Sequence, residues 1–175
     1  MKTSIVLLRG VMPAGKNKVP MAQLREVLTK AGFKNVRTYI ASGNVLVDTD
    51  LAEATLTQRV RGLIHTHIGP VLLVLVRTAA EIQAALKNNP FPNGAPNHVL
   101  IYFFARPVAG DFLKAVVAPG GEQVVVFGRE VYVHYPVDIG HCKLKLPKEA
   151  QQATARNINT LAKLMEMSTC PAPLK

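Results

Sequence analysis

Tryptophan is absent, and aromatic residues make up only 6% of the 175-residue chain. A surface that reads single-stranded nucleic acid by stacking its bases has few rings to draw on here. Cysteine is almost as scarce. Cys142 and Cys170 are the only two, too few for a disulfide framework and without the paired spacing of a zinc site, so both read as free thiols. No apolar run approaches the roughly 20 residues that span a bilayer. The run at residues 71–76 (VLLVLV) is strand-sized. The opening MKTSIVLLRG begins like a signal peptide, but Arg9 cuts its apolar stretch short and no small-residue cleavage site follows. The expected location is cytoplasmic, with no membrane partner.

Acidic side chains are also few: 11 against 21 lysines and arginines, a net charge of +10. The excess is concentrated at the start. Residues 1–37 hold eight bases (Lys2, Arg9, Lys16, Lys18, Arg25, Lys30, Lys34, Arg37) against Glu26 alone, or +7. Residues 38–100 balance at four against four, and residues 101–175 carry nine against six. A cationic first quarter implies attraction to phosphates, whether of nucleic acid, nucleotide or metabolite.

Several chemistries lack their motifs. There is no G-x-S-x-G, no G-x-G-x-x-G and no H-E-x-x-H. His65 and His67 stand two apart in a predicted helix and therefore point to different sides, so no metal site is expected. Asp48, after a hairpin strand, has the position of a magnesium-holding acid but reads better as a turn or cap residue. Adjacent His141 and Cys142 do not make a base–nucleophile pair.

What is present is a sequence of short strands and helices. Residues 4–9 read as a buried strand. A basic, glycine-containing loop over 10–19 follows, then a helix over 21–31 begun by Pro20 and ended by Gly32. Residues 36–40 and 45–47 form a hairpin around 41–44. A helix over 51–67, a strand over 71–77 and a short helix over 79–87 complete a first half. Residues 88–96 (NNPFPNGAP) hold three prolines and read as a linker. The order then recurs: a strand at 99–105, a helix at 108–117, a hairpin at 122–134, and a long final helix at 148–167. The fold class is α+β: two tandem ferredoxin-like, βαββαβ-type subdomains, residues 1–88 and 97–175, joined by a Pro-rich linker at 89–96.

The loop at 10–17 (GVMPAGKN) nearly fits a phosphate loop. Asn17 replaces the hydroxyl that would ligate magnesium, the helix begins later, and the next strand enters a hairpin rather than a parallel crossover. A flexible anion-holding loop is the better reading. In the final predicted helix, Asn157 and Asn159 are unusual for an interior and need a loop, a ligand or backbone to bond.

These residues together resemble a known family. The segment LRGVMPAGKNKVPMAQLREVLTKAGFKNVRTYIASGNVLV (8–47) carries the resemblance, with NPFP at 89–92, REVYVHYP from Arg129, GHCKL at 140–144 and ARNINTLAKLMEM at 155–167. They look like the uncharacterised bacterial family known as domain of unknown function 1697. The resemblance implies two similar α/β subdomains and no established activity, cofactor or substrate. This chain departs from the family pattern at residues 11–15, at Cys142, where serine is common, and at Ile158, where tryptophan is usual.

The expected function is a cytosolic binding protein for phosphorylated ligands, with nucleic acid slightly ahead of small molecules. Arg9, Lys16 and Lys18 would supply charge. Asn17, Ser42 and Asn44 would hydrogen-bond, and Lys143, Arg156 and Asn157 would close the site. Tyr39, Tyr102, Phe103 and Phe104 are candidates for a stacking platform, although such residues are more often core. The alternatives are an enzyme acting on a small phosphorylated or carboxylated metabolite, and a protein-interaction or structural module. No cofactor is expected.

Overall fold

β1 (Lys2–Arg9) carries an unbroken apolar run because both of its faces are buried. A computed structural model of the chain describes residues 1–170. The last five residues of the expected second subdomain, 171–175, lie outside the described residues. β1 is an interior strand, flanked by β3 (Asn44–Thr49) and β4 (Leu73–Thr78), with β2 (Lys34–Tyr39) beyond β3. The order is β2–β3–β1–β4, and every pairing is antiparallel. α1 (Met21–Lys30) connects β1 to β2, and α2 (Glu53–His67) connects β3 to β4.

The two helices share a core with one sheet face. Val6 and Leu8 from β1, Val45 and Val47 from β3, and Val74 and Val76 from β4 meet Leu24 and Leu28 of α1 and Leu56, Val60 and Ile64 of α2. Spacings of four place each helix's buried residues on one stripe. Gly32 ends α1 in a Schellman arrangement. Its φ of +94° lets Gly32 N–H bond Thr29 O at 3.0 Å and Phe33 N–H bond Leu28 O at 3.2 Å. Ile5, Leu7 and Leu46, on the other face, are also fully buried.

A second four-stranded antiparallel sheet follows, built from β5 (Val99–Phe104), β6 (Gln123–Phe127), β7 (Glu130–His134) and β8 (Ala153–Asn157) in the order β6–β7–β5–β8. With α3 (Ala79–Lys87) and α4 (Ile158–Thr169), four α-helices are found among the described residues, in a mixed α+β architecture. None of them is long and apolar enough to cross a membrane. The chain divides into two compact units: Met1–Ile82 with the segment from Leu164, and Gln83–Lys163. The boundaries fall within α3 and α4.

Two expected helices differ from the structure. Residues 108–117 do not form a helix; a single 3₁₀ turn covers Phe112–Ala115. Both ends of the segment are tied to backbone elsewhere, Val108 N–H to Gly128 O in the β6–β7 turn at 2.9 Å and Val117 N–H to Lys145 O, an isolated bridge, at 3.0 Å. The expected helix at 148–167 is instead a 3₁₀ turn (Lys148–Gln152), then strand β8, then α4. β5 explains this. Its run VLIYFF is an interior strand, and β8 supplies the second ladder that the β6–β7 hairpin cannot.

Candidate functional site

Arg9 leads out of β1 into the loop at 10–19. Met12 N–H bonds Asn17 O at 3.0 Å and Lys18 N–H bonds Gly15 O at 3.2 Å, so the loop folds back upon itself before Pro20 opens α1. The strand ahead of this loop has only antiparallel neighbours, and β2 pairs with β3 in a hairpin. The parallel crossover of a phosphate-loop fold is therefore missing. α1 has no acidic residue in its first turn and no side-chain cap.

The β2–β3 turn lies against this loop. Leu8 N–H bonds Gly43 O at 2.8 Å. A Cβ at Gly43 would stand 2.7 Å from Leu8 Cβ and 3.0 Å from Val11 Cγ2, and its φ is +92°. Only glycine fits. Asn44 is fully buried and holds the turn from within, its Nδ2 donating to Tyr39 O and Ser42 Oγ, both at 3.1 Å. Ile40 adopts φ +49° while half exposed, an unusual conformation for a β-branched residue.

Loop and turn together line an open cavity of about 460 Å³. Met12, Pro13, Val19 and Met21 line one side, Ala41 and Ser42 the other, with Lys18 among them. Lys16 is exposed in the same loop. No acidic side chain pairs with Lys16 or Lys18 among the described residues.

Four other basic residues of the first quarter, Arg9, Arg25, Lys30 and Arg37, are committed. Arg25 Nη1 donates to Thr38 Oγ1 at 2.5 Å, and Lys30 pairs with Glu26 at 2.6 Å. Arg37 Nη2 lies 3.9 Å from Asp48, while Nη1 donates to the carbonyls of Met167 and Cys170 at the end of α4. Arg9 is half-buried and is not free. Asp48 has a structural environment. Burial works to raise its pKa, but hydrogen bonds from Asn35 (2.6 Å) and Thr3 (2.7 Å) and the Arg37 charge hold it below the usual range.

Among the named residues, the structure brings Lys16, Asn17, Lys18 and Ser42 to one loop cluster. Asn17 closes the loop, its Nδ2 being 3.7 Å from where a Cβ on Gly10 would stand. Asn44 is beneath the turn and not at its surface. Lys143, Arg156 and Asn157 belong to the other unit. Lys143 is exposed. Arg156 is buried in β8, its Nη1 donating to Thr154 Oγ1 at 2.7 Å and Ala155 O at 2.8 Å, and burial draws its pKa down to about 10. Asn157 Oδ1 accepts from Thr160 N–H at 2.8 Å and caps α4.

The aromatic candidates are not an open platform. Phe103 and Phe104 are buried, and Tyr102 Oη is 2.9 Å from Tyr135 Oη. Cys142 donates its thiol proton to Glu122 Oε1 at 2.8 Å. Burial first, then that bond, pushes the thiol's pKa up. Among the described residues no group of three or more His, Cys, Asp or Glu is placed to hold a metal ion.

Sequence reasoning missed the apolar lining. Met12 and Pro13 stand in a polar loop, and only their closeness to Ala41 and Ser42, a long-range contact, makes them a wall.

A family model described as "Protein of unknown function (DUF1697)" matches residues 1–132. No curated protein matches the sequence. Among solved structures, the conserved bacterial protein SP0830 from Streptococcus pneumoniae is similar to this chain, with a TM-score of 0.77 at 23% identity. The match covers 95% of this chain and 98% of that one. At that identity the likeness is one of fold.

Proposed function

The chain belongs to the DUF1697 family, which brings no activity with it, and we propose from the site's own geometry that the protein binds a small phosphorylated ligand at the β1–α1 loop. The carrying observation is that Lys18 lines a cavity shared with Ser42, with Lys16 exposed in the same loop and no acid opposing either lysine among the described residues. A phosphate dianion there meets cationic donors and a hydroxyl, while charge-assisted bonds are the strong ones. A small ligand is favoured over nucleic acid because the candidate stacking residues of β5 are buried or paired.

The proposal includes a cytoplasmic location and a tandem of ferredoxin-like subdomains. Support for the tandem comes from the shared strand order, second–third–first–fourth, in both sheets. Arg77 stands opposite Ile5, and Arg156 opposite Ile101. Each buried arginine donates to the carbonyl of the residue before it, at 3.0 and 2.8 Å. Each is followed by a cap residue, Thr78 or Asn157, and a helix.

The test is calorimetric titration with pyrophosphate, and in parallel with a single-stranded RNA, at low and physiological salt. Pyrophosphate binding that persists at physiological salt and is lost in Lys16→Ala/Lys18→Ala is the expected result. RNA binding that survives physiological salt, with none for pyrophosphate, would overturn it.

A further inference from the structure

We infer that the ligand is a phosphate monoester of an apolar, ring-sized alcohol, held in the open cavity between the β1–α1 loop and the β2–β3 turn. This rests on the reading of that loop as a phosphate site and adds the other end of the molecule. The cavity's volume of about 460 Å³ falls within the range of small-molecule sites. Bare phosphate would leave most of it empty.

The lining divides by chemistry. Lys18 and Ser42 are the polar side chains on it, while Met12, Pro13, Val19 and Met21 present carbon and sulfur. A dianion pressed against those groups would lose hydration without compensation, so the phosphate belongs at Lys18 and Ser42. The remaining volume suits an apolar group. Methionine, unbranched and polarizable, packs well against rings of varied shape, and two methionines face this space. Met12 is 54% exposed, a large apolar side chain left in water beside a lysine.

Two other cavities lack this combination. One of about 440 Å³ on α1 and α2 contains the Glu26–Lys30 ion pair, whose carboxylate opposes an anion. One of about 310 Å³ is lined by Phe91, Pro92, Gln123 and His134 without a lysine or arginine. Of these three, charge complementarity favours the loop cavity.

The experiment is calorimetric titration of the full chain with phenyl phosphate, inorganic phosphate, phenol and benzoate, repeated on Met12→Ser and Lys18→Gln. Circular dichroism melts check that both exposed-site variants remain folded. Phenyl phosphate is expected to bind at least about tenfold more tightly than inorganic phosphate or phenol, as burying a ring implies. Met12→Ser weakens phenyl phosphate by about fivefold and leaves inorganic phosphate unchanged. Lys18→Gln weakens both. Equal binding of inorganic and phenyl phosphate, both reduced by Lys18→Gln, would overturn the apolar subsite and leave the phosphate site standing. Phenol or benzoate binding as tightly as phenyl phosphate would overturn the phosphate-ester assignment. Binding of neither phosphate compound would remove the site itself.

Discussion

Ile40 holds a left-handed backbone conformation at φ +49°, in the turn that flanks the cavity. Outside glycine, asparagine and aspartate that conformation costs about 1–2 kcal/mol, and half exposed, the side chain recovers little by burial. Ile40→Asn keeps the turn and removes the strain. It is expected to raise Tm by about 2–4 °C per kcal/mol relieved for a chain of this size, read by a thermal melt. An unchanged or lower Tm would show that the isoleucine fits there without cost. Gly43→Ala should act in the opposite direction, losing about 2–4 kcal/mol, because the new methyl group would meet Leu8 and the φ of +92° would become strained. At Cys142, burial and the bond to Glu122 keep the thiol protonated. Cys170 is exposed. Timed alkylation at neutral pH, followed by peptide mass spectrometry, should modify Cys170 well before Cys142; the reverse order would contradict the hydrogen-bonded environment drawn for Cys142.

At the scale of elements, Asp48 joins three strands, accepting from Thr3 on β1 and Asn35 on β2 and facing Arg37. Its folded pKa is below the ordinary aspartate value of 3.8. The stabilisation is therefore complete above that pH and is lost as pH falls through the folded value. Melts of wild type and Asp48→Asn below pH 4 should converge, with the wild type losing more stability on acidification; parallel acid losses would remove Asp48 from this role. The first unit's elements were legible because local signals agreed. Gly32, Gly43 and the Thr78–Glu81 capping box stand where the periodicity changes, and the box forms, Thr78 N–H to Glu81 at 2.8 Å and Glu81 N–H to Thr78 at 3.2 Å. β8 was not legible in its own residues. ATARN is only five residues long, and its apolar positions are two alanines rather than the large β-branched or aromatic residues that mark a strand; its extended form comes from pairing with β5. The usable signal was in β5, where six apolar residues in a row require a partner on each edge. Residues 108–117 misled for the converse reason. Val108, Phe112 and Val116 have helical spacing, yet backbone bonds to Gly128 and Lys145 hold the segment's ends.

For the molecule as a whole, the +10 charge is an attractor of polyanions, but much of the N-terminal excess has internal work. Arg25, Lys30 and Arg37 bond within the first unit, and Lys16 and Lys18 are the bases placed in the loop cluster. Lys16, Asn17, Lys18 and Ser42 could be named from sequence because charge and turn-forming residues mark loops. The apolar walls could not, since they arise where two distant segments meet. The consequence is a separation by salt: RNA binding should collapse between low and physiological salt, as counterion release dictates, while binding of a small phosphate ester falls modestly. The most direct measurement is a ¹⁵N–¹H correlation titration of the full chain with phenyl phosphate at physiological salt. Amide shifts confined to residues 11–21 and 41–43 are the predicted result. Shifts centred on Lys143 and Lys145, or none at saturating ligand, would contradict the account.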